Sequence, residues 1–329
     1  MNKKKNSNLE VGIIGAGAIT TTLHLPLLSA MSGVTPKFVV DVNKPIDLAK
    51  NYKIDSYDTK NLGNLPNCDI ILIATPVGVR EEYIKEFSKR QIPIFTEKPF
   101  AINLKDHQKF LEYSNDIGCN YMKIWYNSSK LFESILSSKM FGEIEKIEIK
   151  EGGIIGKTNR GSDTYQSDKK LSGGGVILEA SCHTLSVLTN IFENISVENS
   201  KIIWEKELDV EAIINFKTEY ESSIIPINYE VTLIKPIENG TTMFFKNCYI
   251  TFDHQNPKSD FIIHNYKNQN TFLLKNEMKF ANSPQQAYYL VWKNFIEKIR
   301  NGEELNGEEL TSIKTTELIS KIYDGNVTK

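Results

Sequence analysis

Apolar and polar residues change their rhythm once along this chain. From Leu9 to about Tyr126, short apolar runs alternate with stretches of helical period. The runs predict buried strands at Val11–Ile14, Pro36–Val42, Cys68–Pro76, Ile92–Phe95 and Asn120–Tyr126. Between them, Ala18–Met31, Pro45–Tyr52, Tyr83–Lys89 and Leu104–Ile117 read as helices, with Pro26 kinking or shortening the first. Strands and helices in strict alternation predict a parallel sheet covered on both faces. After Tyr126 the pattern differs. A helix at Ser128–Lys139 precedes Gly142–Ile149, which alternates as a half-exposed strand does. A polar segment, Lys157–Ser172, leads into Gly173–Gly175 and a helix over Val176–Ile191. From Ser196 to about Lys275 strand follows strand, which predicts an antiparallel sheet with one solvated face. Pro284–Arg300 and Gly307–Asp324 read as closing helices.

The first strand breaks at Gly15 and Gly17, and a helix follows. Strand, glycine turn and helix in that order form the first turn of a dinucleotide-binding βαβ unit, the Rossmann pattern. Gly15 permits the tight turn. Gly17 lacks a Cβ, so backbone can approach a pyrophosphate. The helix start, with Ala18 and Ile19, offers unpaired N–H groups to those phosphates. The third fingerprint position is Thr20 rather than Gly or Ala. A glycine turn before an ordinary core helix gives the same letters. Asp41 closes the second strand at roughly the expected 20 residues past the glycines. An acid there accepts hydrogen bonds from the adenosine ribose and repels a 2′-phosphate, which favours NAD over NADP. It also suits a helix cap. Lys44 stands close by and leaves NADP open. Gly15, Asp41, Thr75 and Lys98 all fall at strand ends, where ligands of such a sheet sit. The expected cofactor contacts are Gly15, Gly17, Ala18, Ile19, Asp41, Ala74, Thr75, Pro76, Glu97 and Lys98.

A chain of 329 residues is long for one core, so two domains are expected: 1–126, with 1–8 a frayed tail, and 127–329. The formal net charge of -2 gives no global field for nucleic acid or an anionic membrane. The four cysteines are far apart with no CxxC spacing, so neither a zinc knuckle nor a redox pair is indicated. Free thiols fit a reducing cytoplasm. No apolar run is long enough to span a bilayer, and no secretory apolar region follows the basic start.

Three residues carry candidate acid–base chemistry. Lys98 sits at a strand terminus, where a partly dry crevice lowers a lysine pKa; it also fits an ordinary turn lysine. Glu179 and His183 are four apart on the helix after the glycines, hence on one face. A carboxylate beside an imidazole orients the ring and stabilises its charged form. The same spacing suits a surface ion pair, or a metal site for which no third ligand is evident. The Gly173–Gly175 run suggests close approach of backbone to a ligand. His24 reads as a hydrogen-bonded core histidine. Tyr165 and Arg160, in the polar segment, and Tyr126 are the candidate substrate contacts.

Together these motifs are similar to those of the glucose–fructose oxidoreductase/inositol dehydrogenase/MocA family: GAGAITTTLHLP, the Asp41 strand end, IATP at Ile73–Pro76, TEKPF at Thr96–Phe100 and GGGVILEASCH at Gly173–His183. The resemblance covers nearly the whole chain. It implies an α/β protein with an N-terminal Rossmann domain and a C-terminal α/β domain built on a large, mainly antiparallel open-faced sheet. It implies NAD(P)-dependent hydride transfer to or from a hydroxyl or carbonyl carbon of a sugar, cyclitol or nucleotide sugar. It also implies a homodimer or homotetramer formed through the open sheet. Lys98 matches the catalytic lysine, His183 the proposed acid/base, and Glu179 a position usually held by Asp. Arg80 stands where the family often has His, and the Arg frequent near Asn127 and Ser128 is missing. Two other readings use the same scaffold: an imine or biliverdin-type reductase, and a non-catalytic dinucleotide sensor.

Overall fold

The computed structural model describes residues 8–153, 164–221 and 223–325. The expected tail, but for Asn8, lies outside them. The chain forms two units: residues 1–121 with 288–313, and residues 122–287 with 314–329.

The first unit opens with β1 (Leu9–Ile14), whose residues are all buried except Glu10. A π-helical turn (Thr20–His24) runs into α1 (Leu25–Ala30). Pro26 has no N–H, and its ring would crowd the carbonyl of Thr22 in an α-turn. The wider turn lets the chain stay helical through it. Then come β2 (Val34–Asp41), α2 (Ile46–Tyr52), β3 (Asp55–Asp58), β4 (Ile70–Ile73), α3 (Arg80–Lys89), β5 (Ile94–Thr96), α4 (Leu104–Tyr113) and β6 (Ile117–Cys119). The six strands are parallel in the order β3-β2-β1-β4-β5-β6. The order reverses between β1 and β4, and crevices for ligands open at the carboxyl ends of strands beside such a reversal.

Three expectations shift. The polar strand β3 is invisible to an apolar pattern. The helix predicted over Leu104–Ile117 ends at Tyr113, because Ile117 pairs with Ile94 of β5. The strand predicted at Asn120–Tyr126 is replaced by β6 and a 3₁₀ turn at Met122–Trp125.

The second unit begins with that turn and α5 (Asn127–Ser138), followed by β7 (Ile144–Gly152), α6 (Lys169–Ser172), a π-helical turn (Ile177–Ser181) and α7 (Cys182–Ile191). Seven strands follow: β8 (Asn194–Glu205), β9 (Leu208–Tyr220), β10 (Ser223–Thr232), β11 (Gly240–Phe245), β12 (Cys248–Phe252), β13 (Phe261–Asn265) and β14 (Thr271–Leu274). With β7 they make one sheet, β14-β13-β12-β11-β7-β10-β9-β8, antiparallel except where β7 meets β10. Side chains alternate across it. Ile225, Ile227, Tyr229 and Val231 of β10 are buried on one face, while Ile224 is 73% exposed on the other.

The chain ends in α8 (Pro284–Asn301), α9 (Gly307–Thr311) and α10 (Ile313–Asp324). Most of α8 and all of α9 join the first unit, unlike the division expected at residue 126. The reason is apolar. Trp292 and Phe295 of α8 pack on Phe95 of β5 with ring centroids 4.3 and 5.2 Å apart. The last helix stays with the second unit, where Thr315 bonds Thr189 at 2.7 Å. Among the described residues no helix is long and apolar enough to cross a membrane.

Candidate active site

The turn after β1 is built from contacts that only certain residues allow. Gly15 has φ +102°, and a Cβ there would stand 2.7 Å from the carbonyl oxygen of Ala74. Thr20, in place of the third glycine, is fully buried and donates to the Gly15 carbonyl at 2.7 Å. A hydrogen bond thus fastens helix to strand where a glycine would allow closer packing. Asp41 accepts from the Ala16 N–H at 2.6 Å through one carboxylate oxygen and from Val42 N–H at 2.7 Å through the other. Each oxygen keeps a lone pair for a further donor.

These residues fit a dinucleotide. Among the described residues other than its chain neighbours, nothing lies within 4 Å of the position a Cβ would take on Gly17, so one side of the turn is open to an approaching group. Gly17 and Ala18 are exposed, and Ile19 is partly so. The first N–H groups of a helix have no partner within it. At the end of β4, Ala74, Thr75 and Pro76 are partly exposed, and the Thr75 hydroxyl finds no partner among the described residues.

The end of β5 is held by a buried network. His24 is fully buried, and its Nε2 lies 2.7 Å from Glu97 Oε1. Trp292 Nε1 donates to His24 Nδ1 at 3.0 Å. An indole N–H can only donate, so Nδ1 is the acceptor and the ring hydrogen sits on Nε2, directed at Glu97. Asn120 donates to the same carboxylate oxygen at 2.7 Å, and the Lys98 N–H reaches the other at 3.2 Å. Burial alone would raise the Glu97 pKa, but His24, Asn120 and Lys98 together hold it below the usual carboxylate value. The Glu97 carboxylate is therefore taken up by the protein's own groups, which fix the backbone from which partly exposed Lys98 projects.

In the second unit the glycines serve packing. A Cβ on Gly175 would lie 1.9 Å from the backbone oxygen of Asp209, and one on Gly174 would lie 2.8 Å from Tyr323 Oη. This corrects the expectation that the run lets backbone approach a ligand. Asp209, buried on β9, caps the helix by accepting from Gly175 N–H at 2.6 Å and Ile177 N–H at 2.7 Å. The π-helical turn carries Glu179, and His183 is the second residue of α7; both are partly exposed. Gln166 Nε2 lies 3.2 Å from Glu179 Oε1, and Tyr165 Oη lies 3.5 Å from it. Tyr165, 43% exposed, thus lies beside Glu179. Arg160 falls outside the described residues. Tyr126 is only 2% exposed, and burial pushes its phenol up to about 12, so it belongs to the packing rather than to an open wall.

Behind α7 lies a cluster that sequence reasoning missed. Glu151 of β7 accepts from Thr184 Oγ1 and Tyr229 Oη, each at 2.6 Å, and from Gln255 Nε2 at 2.6 Å. Lys123 Nζ lies 3.9 Å from one carboxylate oxygen, and His254 Nε2 lies 3.8 Å from the other. Burial raises the Glu151 pKa, but Lys123, His254 and Thr184 outweigh it and hold the carboxyl well below its usual range. No local signal marks these residues, since the partners of Glu151 lie 28 to 104 positions away.

A parallel sheet with a glycine turn at its order reversal and an acid closing β2 defines a Rossmann dinucleotide-binding protein. Residues 9–123 match the family described as "Oxidoreductase family, NAD-binding Rossmann fold". That segment is thus similar to the NAD-binding domain of the glucose–fructose oxidoreductase/inositol dehydrogenase/MocA family. An uncharacterized oxidoreductase of Bacillus subtilis, YrbE, is 26% identical over 176 residues, 52% of this chain and 50% of that protein. The chain thus aligns with only half the length of that relative. Myo-inositol 2-dehydrogenase of Thermotoga maritima is 21% identical over 246 residues, covering 70% of this chain and 68% of that one. Among solved structures, the 3-ketoreductase KijD10 of Actinomadura kijaniata, seen with NADP and TDP-benzene, superposes with a TM-score of 0.82. Its identity is 12%, with coverage of 97% of this chain and 98% of that one, a likeness of fold.

Proposed function

We propose that this chain is an NAD-preferring dehydrogenase or reductase acting on a hydroxyl or carbonyl carbon of a sugar, cyclitol or nucleotide sugar. The observation that carries this reading is Lys98. It stands at the carboxyl end of β5, on a backbone fixed by the Glu97–His24–Trp292 network, in a unit whose glycine turn fits a dinucleotide. A cyclitol dehydrogenase and a ketoreductase among the similar proteins support the substrate class.

Bound nicotinamide would supply the hydride acceptor or donor. The turn at Gly15, Gly17, Ala18 and Ile19 would take the pyrophosphate, and Asp41 the adenosine ribose. Ala74, Thr75 and Pro76 would line the path toward the reacting end. Lys98 and His183 would bind the reacting oxygen and handle its proton, with Glu179 stabilising the charged imidazole. Tyr165 and Arg160 are proposed as substrate contacts. The test is reduction of NAD in the presence of a panel of sugars and polyols.

NAD is expected to bind at least about tenfold more tightly than NADP. Asp41 would repel a 2′-phosphate, and Val42 and Asn43 follow it in place of arginine. Titration of both cofactors by fluorescence checks this; equal or tighter NADP binding would overturn it, with Lys44 the first residue to examine.

A homodimer or homotetramer is also proposed. The second face of the large sheet exposes Ile224, Ile213, Ile262 and Leu273, apolar area that another copy would cover. Light scattering at micromolar concentration should give a multiple of the chain mass, and a monomer would count against it.

A further inference from the structure

Arg80 is a buried cation outside the proposed proton-handling set. It is 1% exposed and ranks among the largest fully buried side chains of the protein. A guanidinium cannot shed its charge there, so its surroundings must stabilise it. They do so with main-chain carbonyls from two different loops. One terminal nitrogen, Nη1, donates to the carbonyl of Pro99 and, at 3.1 Å, to that of Phe100. The other, Nη2, donates to the carbonyl of Thr75 at 3.1 Å. Thr75 follows β4, and Pro99 follows Lys98 at the end of β5. A single planar fork therefore ties the loop after one strand to the loop after its neighbour. No backbone ladder does this, because the β4–β5 pairing ends at Ile73 and Thr96.

We infer that Arg80 is a positioning residue: it fixes the Lys98–Phe100 segment against the loop at Ala74–Pro76, so that Lys98 and the Thr75 loop face a bound cofactor in one arrangement. The chemistry demands arginine. A lysine offers one nitrogen and a histidine two on opposite ring edges, and neither spans three carbonyls in two loops. The role complements the Glu97 network, which holds the N-terminal side of Lys98 through its N–H, whereas Arg80 holds the C-terminal side through the next two carbonyls. As a catalytic inference it rests on the dehydrogenase reading of Lys98; as a statement about the two loops it does not.

The test therefore has one arm that needs no turnover. Hydrogen exchange is followed in wild type, Arg80→Lys and Arg80→Met. Amides of residues 74–80 and 97–101 should exchange at least about tenfold faster in Arg80→Met, with a smaller rise in Arg80→Lys, while β1 and β2 keep their protection. NADH affinity should weaken less than kcat falls, because the pyrophosphate turn is untouched. Unchanged exchange at 97–101 in Arg80→Met would overturn the proposal. So would equal loss of protection throughout the first unit in both variants, since Arg80 would then hold the whole unit rather than the two loops. Should wild type turn over no sugar with NAD, the dehydrogenase reading fails while the exchange data still judge Arg80.

Discussion

Lys98→Ala and His183→Ala are each expected to remove most turnover, by about 10²–10⁴-fold, and to leave NAD binding nearly intact. The magnitude is that of a positioned acid–base group. The sparing of cofactor affinity follows from position. Gly15 and Gly17 form the turn proposed for the pyrophosphate, whereas Lys98 stands after β5 and His183 belongs to the second unit on α7. Glu179→Gln should cost less. It keeps size and an acceptor for Gln166 but loses the charge that stabilises an imidazolium. Rates with the true substrate across pH, beside NADH affinities, check all three. Near-normal turnover in His183→Ala would make the pair structural. The proton would then pass through Lys98 or through Tyr165, whose hydroxyl lies 3.5 Å from Glu179.

Glu151→Gln is expected to destabilise the protein by about 3–5 kcal/mol at neutral pH, since it leaves the buried Lys123 without its counter-charge. The loss should also reach activity, because Thr184, bonded to Glu151, is the neighbour of His183. The sign of the pH dependence follows from the depressed folded pKa. Stabilisation by Glu151 is fully present above the unfolded value of about 4.5 and disappears as pH falls through the lower folded value. Wild type and variant should therefore differ most near pH 7 and converge in acid. Urea unfolding at several pH values measures this. A difference independent of pH would mean that shape rather than charge holds the cluster together.

What was legible in the sequence is what local spacing encodes. The apolar runs placed β1, β2, β4 and β5 because buried parallel strands are continuous in sequence. The glycine turn and Asp41 were readable because the βαβ unit is itself local. Even the role of His24 was visible as that of a core residue. The rest depends on partners far along the chain. Asp209 caps a helix 32 to 34 residues before it, and α8 returns to the first unit because Trp292 finds Phe95 and His24. The triple glycine was misread for the same reason: what needs the space at Gly175 is the backbone of β9, not a ligand. Arg80 could be flagged only as a departure, since the three carbonyls it serves belong to loops joined by nothing in its own helix.

Hydride transfer is the central step of the proposed function, and one measurement addresses it directly. The purified protein is incubated with NAD and a panel of sugars and cyclitols carrying deuterium on their carbinol carbons, and the cofactor is weighed by mass spectrometry. NADH carrying one deuterium is expected from at least one member of the panel, and with Lys98→Ala it should accumulate from that member at least about 10²-fold more slowly. NAD bound at full occupancy but never reduced, with Lys98→Ala indistinguishable from wild type, would contradict it and leave a dinucleotide sensor in its place.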